Sequence, residues 1–224
     1  MIEEEFTTRT PDISTSEIEH LEAVESWGGA NSSVSYVYRP VTNEQLFELF
    51  HLARSSGRTV GIRGGGQSYG DAAMNSENIL LDLRRMNRIL AWDPSRGVVR
   101  AEPGVTVSHL WQYILEDGWW PPVVTGTSAT TLGGCAGMNV HGKNAYQVGP
   151  IGDHILEFDM MLPSGEIVTC SRENNSDLYF SAIGGFGMLG IFTSITLQMK
   201  RVYSGFLDVF SQTQSSLDGM FEYF

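Results

Sequence analysis

Three glycine-rich segments constrain the fold of this chain more than any other feature of its sequence. The chain holds 25 glycines, and many of them cluster within residues 61–70, 126–149 and 184–190. Glycine reaches positive φ without steric cost and lets the backbone approach a ligand closely. We therefore expect each segment to turn tightly or to contact a bound group through its backbone.

Short apolar runs around these segments predict strands and single helices. The predicted strands are residues 34–38, 59–62, 79–83, 88–92, 98–101, 155–162, 166–170 and 191–199. The predicted helices are residues 14–24, 43–56, 107–116, 176–184 and 215–221, whereas residues 126–149 contain few helix or strand formers. This order predicts an α+β fold in two successive lobes and not a doubly wound sheet.

Two nucleotide-binding motifs fit the glycine segments only in part. Gly64 and Gly66 match a Rossmann fingerprint, but Tyr69 stands where close helix packing needs a third glycine. Residues 137–144 have the spacing of a Walker A loop, but they end in Asn144, which has no hydroxyl for magnesium. Both interpretations are therefore disfavoured.

A third interpretation uses the first two segments together. Residues 63–70 can curl so that successive N–H groups point inward and hold a diphosphate without any lysine. Residues 126–142 would add a second wall, again mainly of backbone, against a flat ligand. The alternative is that both segments are ordinary surface loops.

All three segments resemble one known family, the FAD-dependent vanillyl-alcohol oxidases and p-cresol methylhydroxylases. Residues 63–71 read RGGGQSYGD and resemble the diphosphate loop of that family's FAD-binding domain. Residues 126–134 read GTSATTLGG and resemble its second flavin loop, and residues 184–193 read GGFGMLGIFT and resemble its last signature. The three signatures occur in the family's order over about residues 34–200.

The resemblance implies a fold and a domain organisation. It implies an N-terminal extension over residues 1–33 and a two-lobed PCMH-type FAD-binding domain over residues 34–200. Residues 201–224 resemble the beginning of an α+β substrate domain that is incomplete here. Within the family, Trp27-Gly28, residues 68–71 and residues 141–144 are similar to the decaprenylphosphoryl-ribose 2′-oxidase branch.

The implied function is that of an FAD-dependent oxidoreductase acting on CH–OH groups. Such an enzyme oxidises a primary or secondary alcohol of a sugar or polyol by hydride transfer to flavin N5. The substrate can be phosphorylated or lipid-linked, and a reductase partner is an option. The alternatives are a sugar-lactone or alditol oxidase, a flavin-dependent C=C reductase, and a flavin-binding fragment without turnover.

The implied cofactor contacts lie in the glycine segments and at the start of the last strand. They are Arg63, Gly64, Gly65, Gly66, Gln67, Ser68, Tyr69, Gly70, Asp71, Gly126, Thr131, Gly133, Gly134, Met138, His141, Ile191 and Phe192. Many relatives carry in the first loop a histidine that bonds covalently to the flavin. Here Gln67 occupies that place, and its amide has no nucleophilic nitrogen, so we expect FAD to be held non-covalently.

Two residues of the second segment are candidates for catalysis. His141 can accept or relay a proton near neutral pH. Lys143 can place positive charge near the reduced flavin or near a substrate phosphate. Each has a structural alternative, because His141 can simply fix its loop and Lys143 can be solvated.

Charge and composition narrow the functional class. The net charge is −12, with 14 basic and 26 acidic residues, and no basic stripe suggests nucleic acid or an anionic membrane as a partner. No apolar run is long enough for a transmembrane segment, and the acidic N-terminus resembles no signal peptide, so we expect a cytoplasmic protein. Cys135 and Cys170 are expected to be reduced thiols, and no spacing of ligands predicts a metal site.

Overall fold

The computed structural model describes residues 21–223, and its first sheet is mixed. That sheet contains β1 (Leu21–Glu25), β2 (Ser32–Tyr38), β3 (Val60–Arg63) and β4 (Ile79–Asp82). The strand order is β1-β2-β4-β3, in which β1 and β2 are antiparallel while β4 runs parallel to both β2 and β3. The parallel arrangement requires a crossover between β2 and β3, and helix α1 (Asn43–Ser56) supplies it.

Helix α1 is bounded by the caps that the sequence predicted. Thr42 Oγ1 accepts a hydrogen bond from Gln45 N at 3.3 Å, and Gln45 Oε1 accepts one from Val41 N at 2.8 Å. At the other end Gly57 adopts the left-handed conformation, with φ of 65°, and its N–H bonds the carbonyl of Ala53. These caps satisfy backbone groups that a helix end otherwise leaves unpaired.

The second sheet is antiparallel throughout. Its strands are β5 (Ile89–Asp93), β6 (Val98–Ala101), β8 (Ile155–Met161), β9 (Ile167–Ser171) and β10 (Ile191–Gln198). The order is β5-β6-β10-β8-β9, so β10, which is buried over almost its whole length, lies at the centre. A small ribbon pairs β7 (Trp119–Trp120) with β11 (Lys200–Arg201).

Five further α-helices lie within residues 21–223. They are α2 (Val107–Ile114), α3 (Leu132–Gly137), α4 (Ala145–Val148), α5 (Ser176–Ala182) and α6 (Leu217–Tyr223). None of the helices within residues 21–223 is long and apolar enough to cross a membrane.

Each sheet has its own hydrophobic core, and the two cores meet. The larger core lies against the second sheet and contains the ring of Phe158 between Tyr179 and Phe192, at centroid distances of 5.5 and 4.8 Å. The smaller core packs α1 against the first sheet, and Met161 and Ile191 of the second sheet take part in it. The two lobes therefore share buried apolar surface, and mixed helices and strands in two lobes confirm the predicted α+β class.

Two local predictions were wrong within the described range. Residues 21–25, predicted as the end of a helix over residues 14–24, form β1 because they pair with β2; residues 14–20 lie outside the described residues. The glycine stretch at 126–149 contains α3 and α4, although glycine disfavours helices. Helix α3 fits there because a Cβ at Gly133 would lie only 2.7 Å from Pro103 Cβ, so this close packing requires glycine.

Candidate functional site

A cavity of about 480 Å³ lies between the two lobes, and all three glycine segments reach it. The first loop (residues 64–71) forms one side, immediately after β3. The second segment contributes Thr131, Gly133, Gly134 and Met138 from the start and end of α3. Ile191 and Phe192 at the start of β10 form part of the remaining wall.

The backbone of the first loop presents donors that the protein leaves without acceptors. Residues 64–68 are half-buried. Within residues 21–223, no hydrogen bond outside the helices and strands uses an N–H of residues 65–70 as its donor. Half-buried N–H groups need an acceptor, and a row of them favours an anion.

Three carbonyl groups of the same loop accept hydrogen bonds from the protein. Gly65 O accepts a hydrogen bond from Gln67 Nε2 at 2.9 Å, and Ser68 O accepts one from Trp27 N at 3.0 Å. Tyr69 O lies 3.4 Å from the donor Asn31 Nδ2. Three carbonyls of the loop are thus bonded to protein, while the N–H groups of residues 65–70 have no acceptor among residues 21–223, which fits a diphosphate.

Glycine is required in this loop because the second segment packs directly on it. A Cβ at Gly64 would collide with Thr131 Oγ1, and a Cβ at Gly65 would lie 2.5 Å from the carbonyl oxygen of Ala129. Close approach of the two backbones leaves a smooth wall with few side chains. That wall fits a flat ring system.

The second segment is held rigidly around Thr131, whose side chain is 1% exposed. Thr131 Oγ1 accepts from Gly134 N at 3.3 Å and so caps α3 instead of pointing free into the cavity. Val107 N donates to Thr130 O at 2.9 Å, and Leu132 N donates to Val105 O at 2.8 Å. This side of the cavity is therefore tied to the residues that lead into α2.

The thiol of Cys135 also reaches the cavity, but it is not a nucleophile. Burial raises the pKa of Cys135 to about 11, and a hydrogen bond with Thr130 opposes this shift only in part. Near neutral pH the group is a neutral thiol, and the thiolate is the reactive form. Cys135 and Cys170 are both buried, and neither forms a disulfide bond in the structure.

The third segment closes the cavity next to α3. Phe186 N donates to Gly137 O and Gly184 N to Ala136 O, both at 2.9 Å. Gly187 has a φ of +73°, and a Cβ there would lie 2.9 Å from Ile62 Cδ1. These contacts hold the third segment against both the second segment and β3.

Three of the predicted cofactor residues lie outside the cavity lining. Arg63 donates to the carbonyl of Ala73 at 3.2 Å and of Glu25 at 2.9 Å, so its guanidinium supports the first loop from behind. Gly126 lines a second depression of about 300 Å³ together with Lys143, Trp120 and Pro121. His141 is exposed, with Nδ1 3.4 Å from Gly142 O, although the preceding Val140 does line the cavity.

The two candidate catalytic residues are held by a fixed piece of backbone. Gly142 is buried, and a Cβ there would lie 2.6 Å from the carbonyl oxygen of Val124. Asn144 Nδ2 donates to Pro122 O at 3.2 Å. His141 and Lys143 therefore project from a rigid loop at the edge of the cavity and in the adjoining depression.

Several lining residues were missed by sequence reasoning. They are Ile62, Ala72, Ala73, Leu83, Pro103, Thr130, Cys135, Gly137, Val140, Phe186, Gly187 and Gly190. Some of them belong to segments already recognised as glycine-rich, so widening those segments would have found them. Leu83 and Pro103 carry no signal of their own, because only the packing of the lobes brings them to the cavity.

Comparison with known proteins identifies relatives of this chain. A family model described as an FAD binding domain matches residues 34–171. Decaprenylphosphoryl-beta-D-ribose oxidase of Mycolicibacterium smegmatis is 31% identical over 194 residues, which is 86% of this chain and 42% of that protein. L-gulonolactone oxidase of Mus musculus is 27% identical over 161 residues, 72% of this chain and 36% of that protein. D-arabinono-1,4-lactone oxidase of Yarrowia lipolytica is 27% identical over 184 residues, 80% of this chain and 35% of that protein. The chain spans less than half the length of these relatives.

Proposed function

Because the chain belongs to the family of FAD binding domains, we propose that it is the cofactor-binding part of an oxidoreductase that oxidises an alcohol group of a sugar-like or polyol substrate. The family and its oxidase relatives agree with FAD as the cofactor that the resemblance implied. The observation that carries the proposal is the row of N–H groups at residues 65–70, which have no acceptor among residues 21–223 and of which those at residues 65–68 belong to half-buried residues. These donors, next to a smooth glycine wall, match a diphosphate joined to a flat ring.

Different parts of the cavity would hold different parts of FAD. The first loop would bind the diphosphate through its backbone donors. Thr131, Gly133 and Gly134, with Ile191 and Phe192 on the other wall, would enclose the flat isoalloxazine. The bound cofactor would supply a hydride acceptor at flavin N5. The protein's own contribution would be position, electrostatics and proton transfer.

We assign the proton transfer to His141 and a binding role to Lys143. His141 follows Val140, which lines the cavity, and its exposed imidazole can take the hydroxyl proton of a substrate. Lys143 shares its depression with the ring of Trp120 and with Pro121 and Pro122. An ammonium beside an apolar surface suits a phosphate that carries an apolar chain.

The relatives favour polyhydroxylated substrates of two kinds. One is named for a decaprenylphosphoryl ribose and others for gulonolactone and arabinonolactone. We propose a phosphorylated or lipid-linked sugar first, because the ammonium group of Lys143 would gain a charge-assisted contact with a phosphate, which a neutral lactone does not offer. A sugar-lactone oxidase is the second candidate. The same proposal divides the chain into three parts, namely an extension over residues 1–33, an FAD-binding domain over 34–200 and the start of a substrate domain over 201–224. It also includes a cytoplasmic location and a reductase partner.

Absorption and anaerobic reduction test this function. Purified protein should carry about one FAD and absorb at about 450 nm, a property of oxidised isoalloxazine. In the intact protein, a phosphorylated pentose should bleach this band faster than L-gulono-1,4-lactone. A colourless protein that takes up no FAD on reconstitution would rule the proposal out, and faster bleaching by the lactone would favour the second candidate.

Gln67 leads us to propose that the cofactor is held without a covalent bond. Its amide Nε2 is engaged with Gly65 O, and an amide nitrogen does not attack the flavin. Acid precipitation should therefore release all the flavin into the supernatant. Flavin that remains with the pellet would contradict this.

A further inference from the structure

The turn between β1 and β2 contacts the first loop from outside the region matched by the family model. This turn, residues 26–31, precedes the matched residues 34–171. It is internally braced: Ser26 N donates to Asn31 O at 2.9 Å, and Asn31 N donates to Ser26 Oγ at 3.1 Å. Ser26 is only 7% exposed, so the turn is part of the folded body.

Three contacts join the turn to the first loop. Trp27 N donates to Ser68 O at 3.0 Å, and Asn31 Nδ2 donates to Tyr69 O at 3.4 Å. The rings of Trp27 and Tyr69 meet edge to face, with centroids 5.0 Å apart and an interplanar angle of 78°. Each contact occupies a carbonyl or a side chain of the loop and leaves its N–H groups available.

These contacts bear on affinity because the loop they hold is rich in glycine. Ordering a glycine-rich backbone costs more conformational entropy than ordering other residues. A loop that is already ordered before the ligand arrives binds more tightly, because its conformational entropy is lost on folding and not on binding. Holding the carbonyls of Ser68 and Tyr69 also fixes the orientation of the neighbouring peptide groups.

We propose that Trp27 is a positioning residue of the cofactor site, acting through Tyr69 and Ser68 to pre-order the loop that receives the diphosphate. The inference rests on the proposed function, since it concerns the same cavity. It extends the cofactor site to the β1–β2 turn, whose residues do not line the cavity. Trp27 is 48% exposed, and its ring contact with Tyr69 joins it to the first loop.

A double-mutant cycle on the intact protein tests this role. The Kd for FAD is measured by flavin fluorescence, and the Kd for ADP, which carries the diphosphate and the adenosine without the flavin, by displacement. Trp27→Ala should raise both values roughly two- to twelvefold, the usual worth of such a ring pair. Trp27→Phe should restore most of the affinity. In a Tyr69→Ala background, Trp27→Ala should have little further effect.

Matched controls separate positioning from folding. Tyr113 on α2 is 51% exposed, so Tyr113→Ala removes an aromatic ring of similar exposure and should leave both Kd values unchanged. Measuring Kd well below the thermal midpoint of each apo-protein ensures that fold stability does not enter the result. Unchanged affinity in Trp27→Ala, or full additivity with Tyr69→Ala, would overturn this inference alone. A wild-type protein that binds neither FAD nor ADP would overturn the proposed function and this inference with it.

Discussion

At Gly66 the chain combines a left-handed backbone with a close neighbour. Its φ is +67°, and a Cβ there would lie 2.8 Å from Arg63 Cζ. Arg63 is itself held by the carbonyls of Glu25 and Ala73. Burial is the main cause that lowers the pKa of Arg63, and repulsion from Arg84 adds to it. A side chain at Gly66 would therefore displace a half-buried cation that supports the loop.

Gly66→Val should abolish FAD binding in a folded protein. A β-branched residue disfavours positive φ and would push Arg63 out of place, which distorts the row of N–H donors. The measurement is flavin content per protein after reconstitution, with circular dichroism to confirm folding. Gly126→Ala is the control, because nothing lies within 4 Å of a Cβ at that position and it lies outside the cavity. Normal flavin content in Gly66→Val would mean that the first loop is not the phosphate site.

Substitutions of His141 and Lys143 should affect flavin reduction and substrate binding without affecting FAD binding. If His141 takes the substrate proton, His141→Ala binds FAD normally but loses roughly 10²–10⁴-fold in the rate of flavin reduction.

Lys143→Met keeps the length of the side chain and removes its charge. This substitution should weaken the binding of a phosphorylated substrate more than the binding of a neutral one, since only the phosphorylated substrate gains a charge-assisted contact with Lys143. Stopped-flow reduction of the intact protein measures both effects, and unchanged kinetics in both variants would place the base elsewhere.

At the scale of elements, the end of β4 carries a buried carboxylate beside the cavity wall. Asp82 is 2% exposed and accepts from Arg84 N at 3.2 Å and from Arg84 Nη2 at 2.5 Å. Arg39, at the end of β2, lies 3.5 Å from the same carboxylate. The next residue, Leu83, lines the cavity. This network therefore fixes the point where the first sheet meets the site.

The stability of the protein should fall in acid because of Asp82. Burial by itself raises the pKa of Asp82, but the hydrogen bonds from Arg84 and the charges of Arg84 and Arg39 outweigh it and hold the pKa below its ordinary value. A carboxyl whose pKa is lower in the folded state stabilises that state above its unfolded pKa. The contribution is lost as pH falls through the folded pKa, which lies below the ordinary pKa of an aspartate.

Asp82→Asn tests this dependence. The variant should be less stable near pH 7 by about 1–3 kcal/mol, because the arginines lose a buried charged partner. At pH values below the ordinary pKa of an aspartate, its free energy of unfolding should also change less with pH than that of the wild type. Urea unfolding across this range measures both, with the exposed Asp208→Asn as a charge control. Parallel pH profiles for wild type and Asp82→Asn would contradict the assignment.

At the scale of the whole molecule, the cavity lies where two separately packed lobes meet. The first loop belongs to one sheet and the Ile191–Phe192 wall to the other, so a ligand in the cavity contacts both lobes. The lobes also share apolar contacts, since Met161 and Ile191 of the second sheet belong to the smaller core. Bound FAD should therefore stabilise the folded molecule as a unit.

FAD should raise the thermal midpoint of the apo-protein. At about one hundred times Kd, a ligand that binds only the folded state adds about 2.7 kcal/mol, which corresponds to roughly 5–11 °C for a chain of this size. Differential scanning calorimetry with increasing FAD measures the shift. Gly66→Val should show none. A midpoint that stays constant while flavin is bound would show that the cofactor contacts unfolded protein equally well.

Local sequence accounts for the parts of this protein whose physics is local. The caps of α1 were predicted because Thr42, Gln45 and Gly57 act on backbone groups within a few residues of themselves. The hairpins β5–β6 and β8–β9 followed from alternation around short turns. The first loop was predicted to be a phosphate-binding nest because glycine permits backbone conformations that other residues avoid. Most of its residues, from Gly64 to Asp71, do line the cavity.

Contacts between distant segments account for the rest. Residues 21–25 form a strand because Leu21 pairs with Tyr36 across β2, a partner that helical periodicity cannot reveal. Arg63 supports the loop from behind, and Gly126 lies in the second depression, although both belong to recognised motifs. Leu83 and Pro103 reach the cavity only because the two lobes pack together. Periodicity and glycine content report which conformations a segment can adopt, whereas the free energy that selects its neighbours comes from burying apolar surface shared between segments far apart in the chain.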